Sequence, residues 1–189
     1  MKIFVISDIH GKLPALETAR QRAEEEQPDL VVCCGDFLNH GPRNGIPEGY
    51  DPPGTAALLN RFFTDRLLCV RGNCDSEVDQ MLLDFPCLQE SAAAGIPAKN
   101  GTVTRIFFHH GHKEFPAPPG CVVVSGHTHI PLAEWRGGTV FLNPGSISIP
   151  KGGSPASYAV LYSGKEQGLE IEVKPLDGRG GAFLRLSVP

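Results

Sequence analysis

No run of about 18 apolar residues occurs anywhere in the chain, so a transmembrane helix is not expected. The opening MKIFVISDIHG has one lysine and a short apolar run that stops at Asp8. It lacks the length and the small-residue cleavage site of a secretory signal, and reads as a first β-strand. A basic excess is missing too: 17 Lys and Arg stand against 21 Asp and Glu, a net charge of −4. A protein that lives by binding nucleic-acid phosphates would carry a basic stripe, so no long nucleic acid is expected as a partner. No Cys-x-x-Cys pair occurs among the six cysteines, and Cys33, Cys34 and Cys69 sit inside apolar runs. That pattern predicts reduced, buried thiols in a cytoplasmic protein, not a disulfide framework or a thiolate zinc cage.

What is present describes a globular chain. Its 189 residues are 41% hydrophobic and 20% charged. A chain of this length buries about 70% of its unfolded surface and needs no staples. The 22 glycines and 17 prolines predict many turns, with the chemistry carried on loops. Apolar runs at 2–7, 30–34 and 67–70 alternate with helix formers at 13–26 and 55–64. This order predicts parallel strands joined by right-handed crossovers. Residues 37–53 are rich in Gly, Pro and Asn and read as a long loop. Beyond a short helix at 76–83, β-rich runs at 103–108, 121–125, 132–135, 139–142, 158–161 and 169–173 predict further sheet with antiparallel pairs. The expected architecture is α/β: one domain over residues 1–189, two stacked mixed β-sheets flanked by helices. Trp135 and the phenylalanines read as core.

Five of the seven histidines fall between residues 109 and 129. Imidazole is the commonest protein metal ligand, so this clustering points to metal. The apolar runs end in Ser7-Asp8-Ile9-His10-Gly11, Gly35-Asp36, Gly72-Asn73, His110-Gly111-His112 and Gly126-His127-Thr128-His129. Ligands of open α/β sheets bind at the carboxyl ends of strands, so these five ends are expected to converge. Asp8/His10 and His127/His129 are each two residues apart, and extended backbone would aim both members of a pair the same way. Each short motif is common by chance; the ordered set of five is not. Mixed carboxylate, amide and imidazole ligands suit Mn, Fe, Co, Ni or Zn.

The ordered set resembles the calcineurin-like metallophosphoesterase superfamily. The stretches GDFLNHGPRNGIPEGY, VRGNCDSEVDQML, GHTHIPLAEWRG and NPGSISIPKGG are similar to the YfcE-type bacterial phosphodiesterases within it. The resemblance implies an α/β/β/α sandwich holding two divalent ions, Mn first among the candidates and Ni, Co, Zn or Fe as alternatives. The first ion would be held by Asp8, His10, Asp36 and His129, the second by Asp36, Asn73, His110 and His127, with Asp36 bridging. It also implies hydrolysis of small phosphodiesters, with Asp36, Asn73, Cys74 and His110 in the reaction centre. Two ions about 4 Å apart can clamp an in-line displacement at phosphorus and make a bridging water acidic.

Cys74 departs from the wider superfamily, which usually has His there, and matches the YfcE-type proteins, which the resemblance implies share this Cys. A thiol is a weak donor, so slow turnover and a preference for leaving groups that need little protonation are expected. His40 and Arg43 lie in the long loop and are candidate substrate-positioning groups; Arg is the natural bidentate partner of phosphate. His112 is expected to support the site, or to replace His110 as a ligand. His109 would point the other way in a strand. Asn143-Pro144-Gly145-Ser146 is a turn by composition, which the resembling family keeps near its site. The rival reading is a catalytically weak scaffold of the same fold, like the retromer scaffold subunit; the complete ligand set favours an enzyme. The apolar, Pro-rich stretches 45–53 and 115–119 suit either a homo-oligomer interface or a lid.

Overall fold

A computed structural model describes residues 1–97, 101–163 and 168–189. The elements are β1 (Lys2–Ile6), α1 (Leu13–Glu26), β2 (Leu30–Cys33), α2 (Pro52–Phe62), β3 (Leu67–Cys69), α3 (Glu77–Gln80), β4 (Ser91–Pro97), β5 (Val103–His109), β6 (Val122–Val124), β7 (Leu132–Arg136), β8 (Thr139–Asn143), β9 (Ser157–Ser163), β10 (Leu169–Pro175) and β11 (Leu184–Val188). They form two mixed sheets, of six strands in the order β11-β10-β9-β1-β2-β3 and of five in the order β4-β5-β6-β8-β7. Helices flank this pair of sheets, as expected. Among the described residues, no helix is long and apolar enough to cross a membrane.

Strands β1, β2 and β3 pair in parallel, as the strand–helix alternation predicts. The second half is more mixed than its antiparallel texture suggests. β5, β6 and β8 run parallel at the centre of their sheet. β9, β10 and β11 leave that sheet and complete the first one as an antiparallel meander.

Strand β1 shows why the first sheet reads as continuously apolar. Phe4 and Ile6 face α1 and α2, packing with Leu16, Ala19 and Leu59. Ile3 and Val5 face the other sheet, packing with Ile106, Phe108, Val122 and Val124. Both faces are covered, so alternation of side chains produces no polar face. Burying a side chain such as Leu59 stabilises by about 1.5–3 kcal/mol.

Several boundaries differ from expectation. α2 begins at Pro52 because Asp51 caps it, accepting from the Gly54 N–H at 3.0 Å, and proline suits a first helical turn. The predicted helix at 76–83 stops at Gln80, and the chain turns to bury Leu83 and Phe85 under the first core. Trp135 is not core: it lies on edge strand β7 and is 44% exposed. Phe62 and Phe183 are likewise exposed, whereas Phe4, Phe37, Phe63 and Phe108 are fully buried. Phe115, from the Pro-rich 115–119 stretch, packs on Phe107 and stacks on His109. All six cysteines are free; five are buried and Cys74 is partly exposed.

Candidate metal centre

The carboxyl ends of strands from both sheets meet at one edge of the sandwich. The loop after β1 is bonded to the loop after β2 through Asp8 N–H to Gly35 O at 3.1 Å and His10 N–H to Asp36 O at 2.9 Å. It is bonded to the loop after β6 through His127 N–H to Asp8 Oδ2 at 3.1 Å. Five buried or partly buried side chains reach this junction in left-handed backbone: Asp8 (φ 56°), His10 (49°), Asp36 (58°), His127 (66°) and His129 (61°). The expectation that Asp8/His10 and His127/His129 converge through extended backbone is therefore corrected. Each chain instead turns sharply as it leaves its strand and folds its side chains back over the sheet edge. Such conformations cost about 1–3 kcal/mol each and persist where surrounding bonds over-determine them, typically at functional sites.

Three imidazoles are oriented in the same way. His10 Nδ1 lies 2.7 Å from Asn39 O, His110 Nδ1 2.6 Å from Cys34 O, and His129 Nδ1 2.6 Å from Ile149 O. A carbonyl only accepts, so each Nδ1 carries the proton and each Nε2 lone pair turns inward. His10 Nε2 and His129 Nε2 then face one another at 3.3 Å. Asp8 Oδ1 lies 3.4 Å from His129 Nε2 and 3.9 Å from His10 Nε2, buried and without a hydrogen-bond partner. Three lone-pair donors converging with no proton between them fit a cation. A second group repeats the pattern. His110 Nε2 lies 3.4 Å from Asp36 Oδ2 and 3.0 Å from Asn73 Oδ1. Asp36 stands between the two groups, since Oδ2 is also 3.6 Å from His10 Nε2. The donor sets Asp8/His10/His129, Asp8/Asp36/His110 and His10/Asp36/Cys74 each fit within 4.8 Å, the span one ion needs.

Electrostatics follow the geometry. Burial would raise the Asp36 carboxyl, but His110, the Cys74 N–H and His10 outweigh it and hold the pKa down at about 2. Burial opposes charge on His110, yet Asp36 carries its pKa up to about 9, so without an ion its Nε2 holds a proton toward Asp36 that a bound cation would displace. Burial lowers His10, which keeps it a neutral, ligand-ready imidazole. Burial and then Asp36 push the Cys74 thiol up to about 12.

The remaining sequence candidates separate. His127 is partly exposed, its ring 5.2 Å from that of His110. Arg43 lines the cleft that also contains Asp36, Asn73 and Cys74. His40 does not line it; its ring sits edge-on to Tyr50 at 5.3 Å. His112 borders a neighbouring cleft with Asn73, its ring 5.3 Å from His110, and it is His110 whose Nε2 lies against Asp36 and Asn73. His109 points away and stacks on Phe115, where burial and the neighbouring histidines bring its pKa down to about 4.

Five further residues support the site without being candidate ligands. Asp75 accepts the backbone N–H of Asp36 and Phe37 at 2.8 Å and of Gly72 at 2.7 Å. Ser146 and Ser148 donate to the Asp8 carbonyl at 2.8 and 2.7 Å, and Asn143 donates to Gly126 O at 2.7 Å, so the 143–146 turn does abut the site. Lys151 lines the Asp36 cleft and has no ion pair among the described residues. Of these, Asn143 and Ser146 belong to the Asn-Pro-Gly-Ser turn that the family resemblance placed near the site; Asp75, Ser148 and Lys151 carried no such signal.

Fold and site together define a phosphoesterase class. The model of the calcineurin-like phosphoesterase superfamily domain matches residues 1–166, and the chain belongs to that family. Its sequence is 47% identical over 166 residues to phosphodiesterase YfcE of Escherichia coli K12, covering 85% of this chain and 87% of that one. The solved structure of Yfce, a phosphoesterase from E. coli, matches with a TM-score of 0.88 and 41% identity over 100% of both chains. Vps29 from Entamoeba histolytica, solved in complex with Zn²⁺, shares the fold at a TM-score of 0.63 and 20% identity over 100% of both chains.

Proposed function

We propose that residues 1–189 act as one domain, a cytoplasmic, metal-dependent phosphodiesterase that hydrolyses small phosphodiesters at a dinuclear centre. The observation that carries this reading is Asp36, one buried carboxylate 3.6 Å from His10 Nε2 and 3.4 Å from His110 Nε2. The first ion would be held by Asp8, His10, Asp36 and His129, the second by Asp36, Asn73, His110 and His127. Manganese leads the candidates, with Ni, Co, Zn and Fe as alternatives for this ligand mixture. When bound, the pair supplies Lewis acidity toward phosphoryl oxygens and makes water acidic enough to ionise near neutral pH. The chain's own residues do the rest. The carbonyls of Asn39, Cys34 and Ile149 hold three imidazoles in the productive tautomer. Arg43, on the cleft beside Asp36, offers a bidentate partner to a phosphate group of the substrate. Kinship with a relative named a phosphodiesterase supports the diester class.

Cys74 bears on which ester is preferred. Its thiol stays protonated and donates weakly, so leaving groups that need little protonation are favoured. A diester monoanion also asks less of a site lacking an imidazolium there. Replacing Cys74 by His is expected to raise phosphomonoesterase activity relative to diesterase activity. Equal rates before and after, on both substrates, would remove that role.

The deciding experiment measures hydrolysis of an aryl phosphodiester beside its monoester. Metal-free protein would be refilled with Mn, Ni, Co, Zn or Mg, with Asp36→Ala as control. Diester cleavage that depends on metal and falls about 100-fold or more in the control is the expected result. No cleavage by protein carrying two ions would favour a binding protein of the same fold. Ile46, 68% exposed in the 45–53 stretch, makes that loop a candidate contact between copies, for which light scattering is the check.

A further inference from the structure

The cations around the metal centre are unequally satisfied. Arg71 and Lys113 line the cleft on one side of Asn73, together with His112. Both are engaged: Arg71 Nε donates to Asp75 O at 3.1 Å and its Nη2 lies 3.9 Å from Glu77, while Lys113 Nζ lies 2.8 Å from Glu90. Arg43 and Lys151 line the cleft on the other side, where Asp36 is the only acidic lining residue. Neither has an ion pair among the described residues.

The two cations stand on anchored backbone. The Lys151 N–H donates to His129 O at 3.1 Å, and the N–H and hydroxyl of Ser154 both donate to Lys151 O, at 3.2 and 2.7 Å. The Arg43 loop is held by Asn44 Nδ2 to His40 O at 2.9 Å and Gly41 N–H to Asn39 Oδ1 at 2.7 Å. A Cβ on Gly41 would lie 2.8 Å from Cys74 Sγ, so this loop packs directly against the reaction centre.

Charge counting then distinguishes two uses. Resting on the dinuclear reading above, two dications set against Asp8, Asp36 and a hydroxide leave one positive charge. A diester monoanion cancels it. Arg43 and Lys151 are then surplus to the scissile phosphate, and a surplus of two cations without ion pairs among the described residues, exposed on one cleft, matches a phosphate monoester dianion. We infer that Lys151 and Arg43 form a subsite for a second phosphate, so that the preferred substrates are phosphodiesters carrying a terminal phosphate on one arm. That arm lies toward Arg43 and Lys151, and the other lies toward the charge-balanced cleft of Arg71 and His112. Lys151 is the specificity-determining member, and Arg43 shares its load.

The test compares two substrates that differ in one group: the 4-nitrophenyl diester of thymidine 5′-phosphate, with and without a 3′-phosphate. The metal-loaded protein is expected to favour the 3′-phosphorylated diester about tenfold in kcat/KM, the worth of a charge-assisted contact, with the gain shrinking as salt rises. Lys151→Ala should bring the ratio of the two kcat/KM values close to one, and Lys151→Arg should restore it. Binding supplies a readout independent of turnover. Calorimetric titration should find thymidine 3′,5′-bisphosphate tighter than thymidine 5′-phosphate, and Lys151→Ala should erase the difference. Equal kcat/KM for the two diesters, or a preference that survives Lys151→Ala, overturns the subsite while leaving the phosphodiesterase reading intact. If neither diester is cleaved, the phosphodiesterase reading fails, and the bisphosphate titration still decides the subsite.

Discussion

Two residues without side chains set the positions of the Asp8 and Asp36 carboxylates. A methyl group at Gly72 would overlap Asp36 Oδ1, and one at Gly126 would overlap Ser7 Oγ and lie 2.8 Å from Asp8 Oδ2. Neither position has the positive φ that makes Gly35, at +92°, a turn residue. Glycine serves here by letting backbone approach a carboxylate closely. The turns that the glycine content predicts account for Gly35 but not for these two. Gly126→Ala is expected to push Asp8 aside and weaken metal binding about 10–100-fold, the range found for groups that orient ligands. Titration with Mn²⁺ reads the affinity, and an unchanged far-UV circular dichroism spectrum establishes that the fold survives. Wild-type affinity in this variant would contradict the role.

At the scale of elements, Asp75 joins the loop after β2 to the loop after β3. Its carboxylate receives three backbone N–H groups, from Asp36, Phe37 and Gly72, and is itself 3% exposed. Burial and the nearby Asp36 carboxylate push its pKa up to about 7, against the pull of those amides. Asp75→Ala would strand three buried donors at once, and a loss of about 3 kcal/mol or more is expected in urea denaturation. A loss under about 1 kcal/mol would mean that water replaces the carboxylate freely. Nothing in Gly-Asn-Cys-Asp distinguishes this aspartate from an ordinary cap of the helix that follows. β4 was equally hidden: Ser-Ala-Ala-Ala-Gly-Ile-Pro has little intrinsic strand preference, and it is a strand because all seven residues pair with β5 at a sheet edge that tolerates Pro97. β1, β2 and α1 were legible because periodicity and helix formers agree with the final packing there.

Across the molecule, Glu26 ties the end of α1 to three strands of the first sheet. Lys174 Nζ lies 2.8 Å from Oε1 and Lys2 Nζ 3.3 Å from Oε2, while the Tyr158 hydroxyl donates to Oε1 at 3.3 Å. Burial would raise this carboxyl, but Lys174 and then Lys2 outweigh it and hold its pKa below the ordinary 4.5. A depressed carboxylate contributes stability that is fully present above its unfolded value and is lost as pH falls through the folded one. Glu26→Gln should therefore cost about 1 kcal/mol at pH 7, reduced from the fully buried case by the partial exposure of both lysines. The gap between variant and wild type should close on acidification below the ordinary carboxylate range. Thermal denaturation across pH reads this directly; a gap independent of pH would assign the loss to packing.

The sequence by itself determined the ligand chemistry: which residue types end which strands, in what order, and the parallel crossovers that bring the first three ends to one edge. These follow from local pattern and residue identity. Tertiary structure alone decided which candidates meet. His10 and His129 are 119 residues apart and face one another at 3.3 Å only because the loops after β1 and β6 are bonded across the two sheets. The same packing left His40 against Tyr50, brought Lys151 to the cleft that Asp36 lines, and bent five candidate ligand residues into left-handed backbone. Contacts of that kind depend on how two sheets stack, and no short stretch of sequence carries that information.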